Sequence, residues 1–269
     1  MSKIKLIAAD MDHTLLTEAG ELPPKFDEYI ERLEEKGVTF AIASGRPMYT
    51  LLEVFADRKE SLTIISDNGG AIWHKGKMVY ESLMEPAVYQ EMIRFVEEQN
   101  NGAAILCAME CAYALEQYLP YKKFFGEFLR KLSFVKDMRG LEADANKFTV
   151  FFPQKDAKQQ FASVFEPRYG KDFSVTVGGD EWVDIMNKGI HKGAAMQWLG
   201  KTLGISTDEM MAFGDTYNDI EMLQTVKYSY VMENAAQEMR QYGNFVAPPN
   251  EEYGVLQVIE KEVLSDENV

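Results

Sequence analysis

Apolar positions near the N-terminus fall into two alternating patterns, short buried runs and stretches at helical spacing. Ile4–Ala9 is apolar except at Lys5, the pattern of a parallel strand covered on both faces. Pro23-Pro24 opens a helix expected to run to Lys36, with Phe26, Ile30 and Leu33 on one face and Gly37 as its stop. Thr39–Ala43 reads as the next strand, Pro47 starts a second helix at its first turn, and Leu62–Ser66 is a third strand. Ala71–Trp73 and Met78–Glu81 form a hairpin pattern around Lys75-Gly76-Lys77.

From Leu83 the rhythm changes. A helix over Pro86–Gln99 leads into a Gly-Ala strand region, an aromatic-rich segment from Tyr113 to Phe128, and a strand over Lys147–Phe152. A helix around Lys155–Phe165 and strands over Phe173–Val177 and Trp182–Met186 complete this stretch. After Asn187-Lys188-Gly189 the alternation resumes, with helix His191–Leu203, strand Met210–Phe213, helix Asp219–Gln224, strand Tyr228–Val231 and a helix from Ala235. The expected fold class is α/β: a doubly wound, mostly parallel Rossmann-like sheet from residues 1–83 and 188–269, interrupted by an α+β domain over 84–187. Chain hinges are expected near Leu83 and Asn187, and the acidic end, Ser265–Val269, is expected to fray.

Composition narrows the function. At 269 residues with 46% hydrophobic and 26% charged content, the chain can bury a sizeable core. No apolar stretch approaches the roughly 20 residues of a membrane span, and the N-terminal run is too short for a secretory signal, so a cytoplasmic protein is expected. The net charge of −15, with no Lys/Arg-rich stripe, argues against nucleic acid or an anionic membrane as partner. An anionic small molecule would need a local positive site. Cys107 and Cys111, with His13, His74 and His191 scattered elsewhere, are too few for a zinc centre and read as reduced structural thiols.

Chemistry-bearing residues collect at strand ends. Asp10-Met11-Asp12-His13-Thr14 follows the first strand directly, where an open parallel sheet binds its ligands. Two carboxylates one residue apart suit a nucleophile, Asp10, and an acid–base, Asp12, although such a pair alone also reads as a loop cap or a cation site. Ser44-Gly45-Arg46-Pro47 follows the second strand and offers a hydroxyl, a flexible backbone and a guanidinium to phosphate oxygens. Lys192, at the start of a helix, could neutralise Asp10 and a phosphate; alone it also reads as a surface lysine. Gly214-Asp215-Thr216-Tyr217-Asn218-Asp219 follows another strand and suits a hard cation, or a capped turn.

The order of these segments resembles the haloacid dehalogenase superfamily of phosphohydrolases over essentially the whole chain. DMDHTLL, SGRP, HKG and GDTYND are similar to its four motifs, and the insertion is similar to the large α/β cap of the Cof-type subgroup. Ser66-Asp67-Asn68-Gly69-Gly70 is similar to that subgroup's Asn-Gly turn. The resemblance implies a phosphatase acting through an aspartyl-phosphate on Asp10, with Asp12 as acid and base. It implies Mg²⁺ held by Asp10, the Asp12 backbone carbonyl and Asp215, with Asp219 supporting from behind. Thr14, Ser44, Lys192 and Asn218 would contact phosphate together with Gly45, while Arg46 and Asn68 would face the substrate.

His13 departs from the subgroup's usual glycine, and Lys188 competes with Lys192 for the lysine role, the family pattern favouring Lys192. The expected substrate is a small phosphate monoester, a sugar phosphate or a phosphorylated cofactor or precursor, taken by a monomer or weak homodimer. A hexose phosphomutase and a non-catalytic sugar-phosphate-binding regulator are the alternatives. Tyr113, Tyr118, Tyr121, Phe124 and Phe125 could line the substrate cavity, but as a group they read better as the core of the insertion.

Overall fold

A computed structural model describes residues 4–265. The first half of the main sheet comprises Leu6–Asp10 (β1), Thr39–Ala43 (β2), Thr63–Ser66 (β3), Ala71–His74 (β4) and Lys77–Glu81 (β5). The chain then builds a second sheet from Ala103–Ala108 (β6), Ala112–Leu115 (β7), Leu132–Val135 (β8), Ala145–Phe151 (β9), Phe173–Val177 (β10) and Trp182–Asn187 (β11). It returns to the first sheet with Met210–Gly214 (β12), Tyr228–Met232 (β13) and Phe245–Ala247 (β14).

The main sheet runs β14-β13-β12-β1-β2-β3-β4-β5, parallel from β14 to β3 and antiparallel through the β4–β5 hairpin. Its chain order reverses beside β1, flanked by β2 on one side and β12 on the other, and a doubly wound sheet opens its ligand crevice at such a point. The register pairs Asp10 with Ala43 and Ala9 with Phe213, so the segments after three strands emerge at one edge. Buried side chains alternate along β1. Ile7 and Ala9 join one core with Phe40 and Ile42, while Leu6 and Ala8 join the other with Met196 and Leu199.

The second sheet runs β10-β11-β9-β6-β7-β8 and is antiparallel except for the β7–β8 pair. Its strands also divide by parity. Ala104 and Leu106 pack under helix Pro86–Gln99 and the helical stretch 157–169, while Ala103, Ile105 and Cys107 pack against an aromatic cluster centred on Phe125, Phe151 and Trp182. At the passage between the sheets, Asn187 Nδ2 donates to Ser82 Oγ at 3.0 Å and to the Leu83 carbonyl at 2.8 Å, tying the outgoing and returning strands together.

Two expectations need correction. The helix from Ala235 is only a 3₁₀ turn, Gln237–Gln241. Beyond Gly243 the chain adds β14, and the terminal helical stretch occupies 254–264, after Pro248-Pro249. The helix expected to end at Phe165 begins at Ala157 and reaches Tyr169, because a widened turn at Phe161–Phe165 lets Pro167 sit at the start of a renewed helical segment. The aromatic segment holds β7 and the helix Lys122–Phe128, and β8 follows it. Of the acidic end expected to fray, residues 266–269 lie outside the described residues. Among the described residues no helix is long and apolar enough to cross a membrane.

Candidate active site

Asp10 ends β1 and is 5% exposed. The next five residues, Met11–Leu15, form a wide turn in which Asp12 is extended and His13 takes φ +58°. That left-handed conformation is where glycine is at ease, so the histidine sits in a backbone slot that suits the smaller residue. The His13 ring is exposed, 3.0 Å from Glu18.

Lys192 is fully buried at the first turn of helix Lys192–Leu203. Its preceding residue, His191, caps that helix by accepting from the Ala194 amide. Lys192 Nζ donates to Asp10 Oδ1 and, at 2.7 Å, to Asp219 Oδ1. Asp219 Oδ2 in turn accepts the amides of Asp215 (3.0 Å) and Thr216 (3.2 Å), which shapes the turn after β12. Gly214 is required there, since a Cβ would lie 2.5 Å from that of Asp219. Thr14 Oγ1 donates to Asp215 Oδ1 at 2.8 Å, closing the ring back to the first turn. Lys188, the competing lysine, is exposed and donates to the carbonyls of Gly170 and Phe173.

Three carboxylates face one ammonium in this ring. Burial pushes the Asp10 carboxyl well above its ordinary value; Lys192 opposes the shift, and Asp219, Asp215 and Asp12 reinforce it. Burial also lifts Asp215 to about 7, with the Asp219 charge adding to it and the Thr14 bond and Lys192 opposing. Lys192 rises despite its burial, held by Asp10 and Asp219. Oxygens of Asp10, Asp215 and Asp219 lie within 4.8 Å of one another. A hard divalent cation fits such a set, because it bonds to oxygen and offsets the excess buried negative charge.

Ser44 and Arg46 follow β2. Ser44 is buried, and its Oγ accepts the Arg46 amide at 3.1 Å. The Arg46 guanidinium grips Asp12 with two bonds, 2.6 and 2.9 Å, and donates to the Glu127 carbonyl across the cleft at 2.8 Å. Asn218 Nδ2 donates to Asn68 Oδ1 at 3.0 Å, and Asn68 Nδ2 donates to Asp184 Oδ2 at 2.8 Å. Asn68 takes φ +55°, and the next residue, Gly69, passes so close to the His191 carbonyl that a Cβ would lie 2.7 Å from it.

A cavity of about 500 Å³ lies between the two sheets. Asp10, Asp12, Gly45, Arg46, Asp215 and Asn218 line it; Thr14, Ser44, Lys192 and Asp219 are buried directly behind them, and Asn68 bridges Asn218 to the second sheet. Of the five aromatic residues singled out in the sequence, Phe124 reaches the cavity, and Phe125 is fully buried in the insertion's core. Phe128 and Trp182 complete the apolar wall.

Three polar residues of the second sheet escaped the sequence reading. Lys147 on β9 donates to the Gly45 carbonyl and, at 3.3 Å, to Asp184 on β11, while Thr149 donates to Asp184 Oδ1 at 2.6 Å. The available signal was the charge of Asp184 between Val183 and Ile185, inside an otherwise apolar strand; Lys147, beside Asn146, gave no such signal.

The sequence profile of haloacid dehalogenase-like hydrolases matches residues 7–259, and the chain belongs to that family. SMU.1108c from Streptococcus mutans superposes with a TM-score of 0.92 at 32% identity, covering 97% of this chain and all of that one. Escherichia coli YbjI, a 5-amino-6-(5-phospho-D-ribitylamino)uracil phosphatase, is 29% identical over 96% of both chains. Bacillus subtilis YcsE, named for the same activity, is 26% identical over 97% of this chain and 96% of its own.

Proposed function

We propose that this protein is a Mg²⁺-dependent phosphatase that hydrolyses small phosphate monoesters through an aspartyl-phosphate on Asp10. The observation that carries the reading is the Asp10 carboxylate, held at the tip of β1 by buried Lys192, beside Asp215 and with Asp12 two residues on in the same cavity.

In the first step an Asp10 oxygen bonds to phosphorus as the ester P–O bond breaks, and Asp12 protonates the leaving oxygen. In the second step Asp12 takes a proton from water, whose oxygen attacks phosphorus and releases Asp10. Lys192 orients Asp10 and offsets charge on the transferring group, with Thr14, Ser44, Gly45 and Asn218 around the phosphate position. Asp10, Asp215 and the Asp12 carbonyl would hold Mg²⁺, with Asp219 behind them. When bound, the ion supplies charge neutralisation at the phosphoryl oxygens.

The insertion acts as a cap whose apolar wall covers the leaving group and excludes water. The activities of YbjI and YcsE support a phosphorylated metabolite or cofactor precursor as substrate, with sugar phosphates as the wider class. Phosphate release from 5-amino-6-(5-phospho-D-ribitylamino)uracil and a panel of sugar phosphates, with Mg²⁺ or with chelator, tests this. Cation-dependent release supports the reading, and the absence of release from every monoester by folded protein refutes it.

A further inference from the structure

We propose that the cavity favours monoesters whose leaving group is neutral or cationic, and that Asp180 and Glu181 on the β10–β11 loop disfavour a second anionic group. This rests on the phosphatase reading above and concerns the part of the substrate that does not react.

Six carboxylates line the cavity against three cations, Arg46, Lys147 and Lys155. Each of those cations is already taken by a carboxylate of the same wall. Arg46 holds Asp12 at 2.6 Å, Lys147 holds Asp184 at 3.3 Å and Lys155 holds Glu181 at 3.0 Å. The third pair is lopsided: the Glu181 side chain is 17% exposed and that of Lys155 is 67% exposed, so water screens the cation more than the anion. Asp180, next in the chain, makes no ion pair among the described residues and influences Lys155 only at longer range.

The cation that meets the reacting phosphate, Lys192, lies buried behind Asp10 and is held by Asp10 and Asp219. A second phosphate or carboxylate would therefore meet Asp180 and Glu181 with no free cation to pair with. The neighbouring wall of Phe124, Phe128 and Trp182 provides none either. With few water molecules between them, like charges interact more strongly than in bulk solvent. An ammonium group or a hydroxyl meets no such penalty.

The test uses three esters that carry phosphate on C6 and differ in charge elsewhere: glucosamine 6-phosphate, glucose 6-phosphate and 6-phosphogluconate. Their affinities are measured by calorimetry on the Asp10→Asn protein, and as inhibition of p-nitrophenyl phosphate hydrolysis by wild type. The expected result is weaker binding of 6-phosphogluconate than of the other two, by about tenfold, with the gap closing in Asp180→Asn/Glu181→Gln protein of unchanged melting temperature. Equal affinities, a preference for 6-phosphogluconate, or a gap that survives the double substitution overturns the proposal. Loss of the phosphatase reading would look different: no phosphate release by wild type, whatever the order of the calorimetric affinities.

Discussion

Arg46 grips both oxygens of Asp12, at 2.6 and 2.9 Å, and with its remaining nitrogen reaches the Glu127 carbonyl on the opposite side of the cleft. Its guanidinium also lies over the Phe128 ring, 5.0 Å from the centroid. One side chain thus positions the proposed acid–base and contacts the insertion across the cleft.

Replacing it should misplace Asp12 without touching Asp10. Arg46→Ala is expected to lower kcat/KM by roughly 100-fold, the size of effect that misplacement near a reacting centre produces. Arg46→Lys should recover little, because an ammonium cannot make the planar two-bond contact. Steady-state kinetics on any accepted monoester decide this, and full activity in the lysine variant would contradict it.

Cation binding should appear as stability. Asp10, Asp215 and Asp219 crowd together in a buried site, so Mg²⁺ is expected to raise the melting temperature, with a gain of about 2.7 kcal/mol at a concentration 100 times the dissociation constant. Asp215→Asn should abolish that gain. Without the cation the variant should melt no lower than wild type, since it removes one of the mutually repelling buried carboxylates. Thermal denaturation with Mg²⁺ or chelator measures both signs.

Asp67 gives a separate pH signature. Burial lifts its carboxyl to about 6, against the pull of Lys147 and bonds from Asn146 and Ser66. The folded chain therefore keeps a proton that the unfolded chain has released, and stability falls as pH rises from about 4 to about 6, by on the order of 3 kcal/mol. Asp67→Asn should lack this loss. The difference in melting temperature between the two proteins should move in favour of the variant across that window and then level off. A difference independent of pH would contradict the assignment.

The cysteines differ in reach. Cys107 is buried on β6 and its thiol is pushed up to about 12, while Cys111 is partly exposed. A thiol-specific reagent at neutral pH should therefore modify one cysteine in the folded protein and both after denaturation. Rapid modification of two in the folded state would refute that.

The main strands were legible because they are buried on both faces and the longer helices because they carry one apolar stripe, so Ile4–Ala9 and Thr39–Ala43 of the main sheet and Pro86–Gln99 of the insertion read close to their observed bounds. The motif residues were legible because Asp10, Ser44 and Asp215 stand at the ends of strands beside the sheet's switch point and Lys192 opens the helix that follows the insertion. The insertion's share of the cleft was not. Lys147 and Asp184 lie 37 residues apart and meet only when β9 pairs with β11, and a lone charge in a strand says nothing about its partner. Between Tyr113 and Phe128 the elements are short, four residues in β7 and seven in the helix Lys122–Phe128, too few for either period to stand out.

The central claim is that Asp10 carries the phosphoryl group. The most direct measurement quenches the reaction during turnover and maps the peptides by mass, comparing wild type with Asp10→Asn. The account predicts a phosphoryl group on the peptide that contains Asp10 in wild type. In the variant it predicts neither that adduct nor phosphate release. Phosphate release that persists in folded Asp10→Asn protein would contradict it.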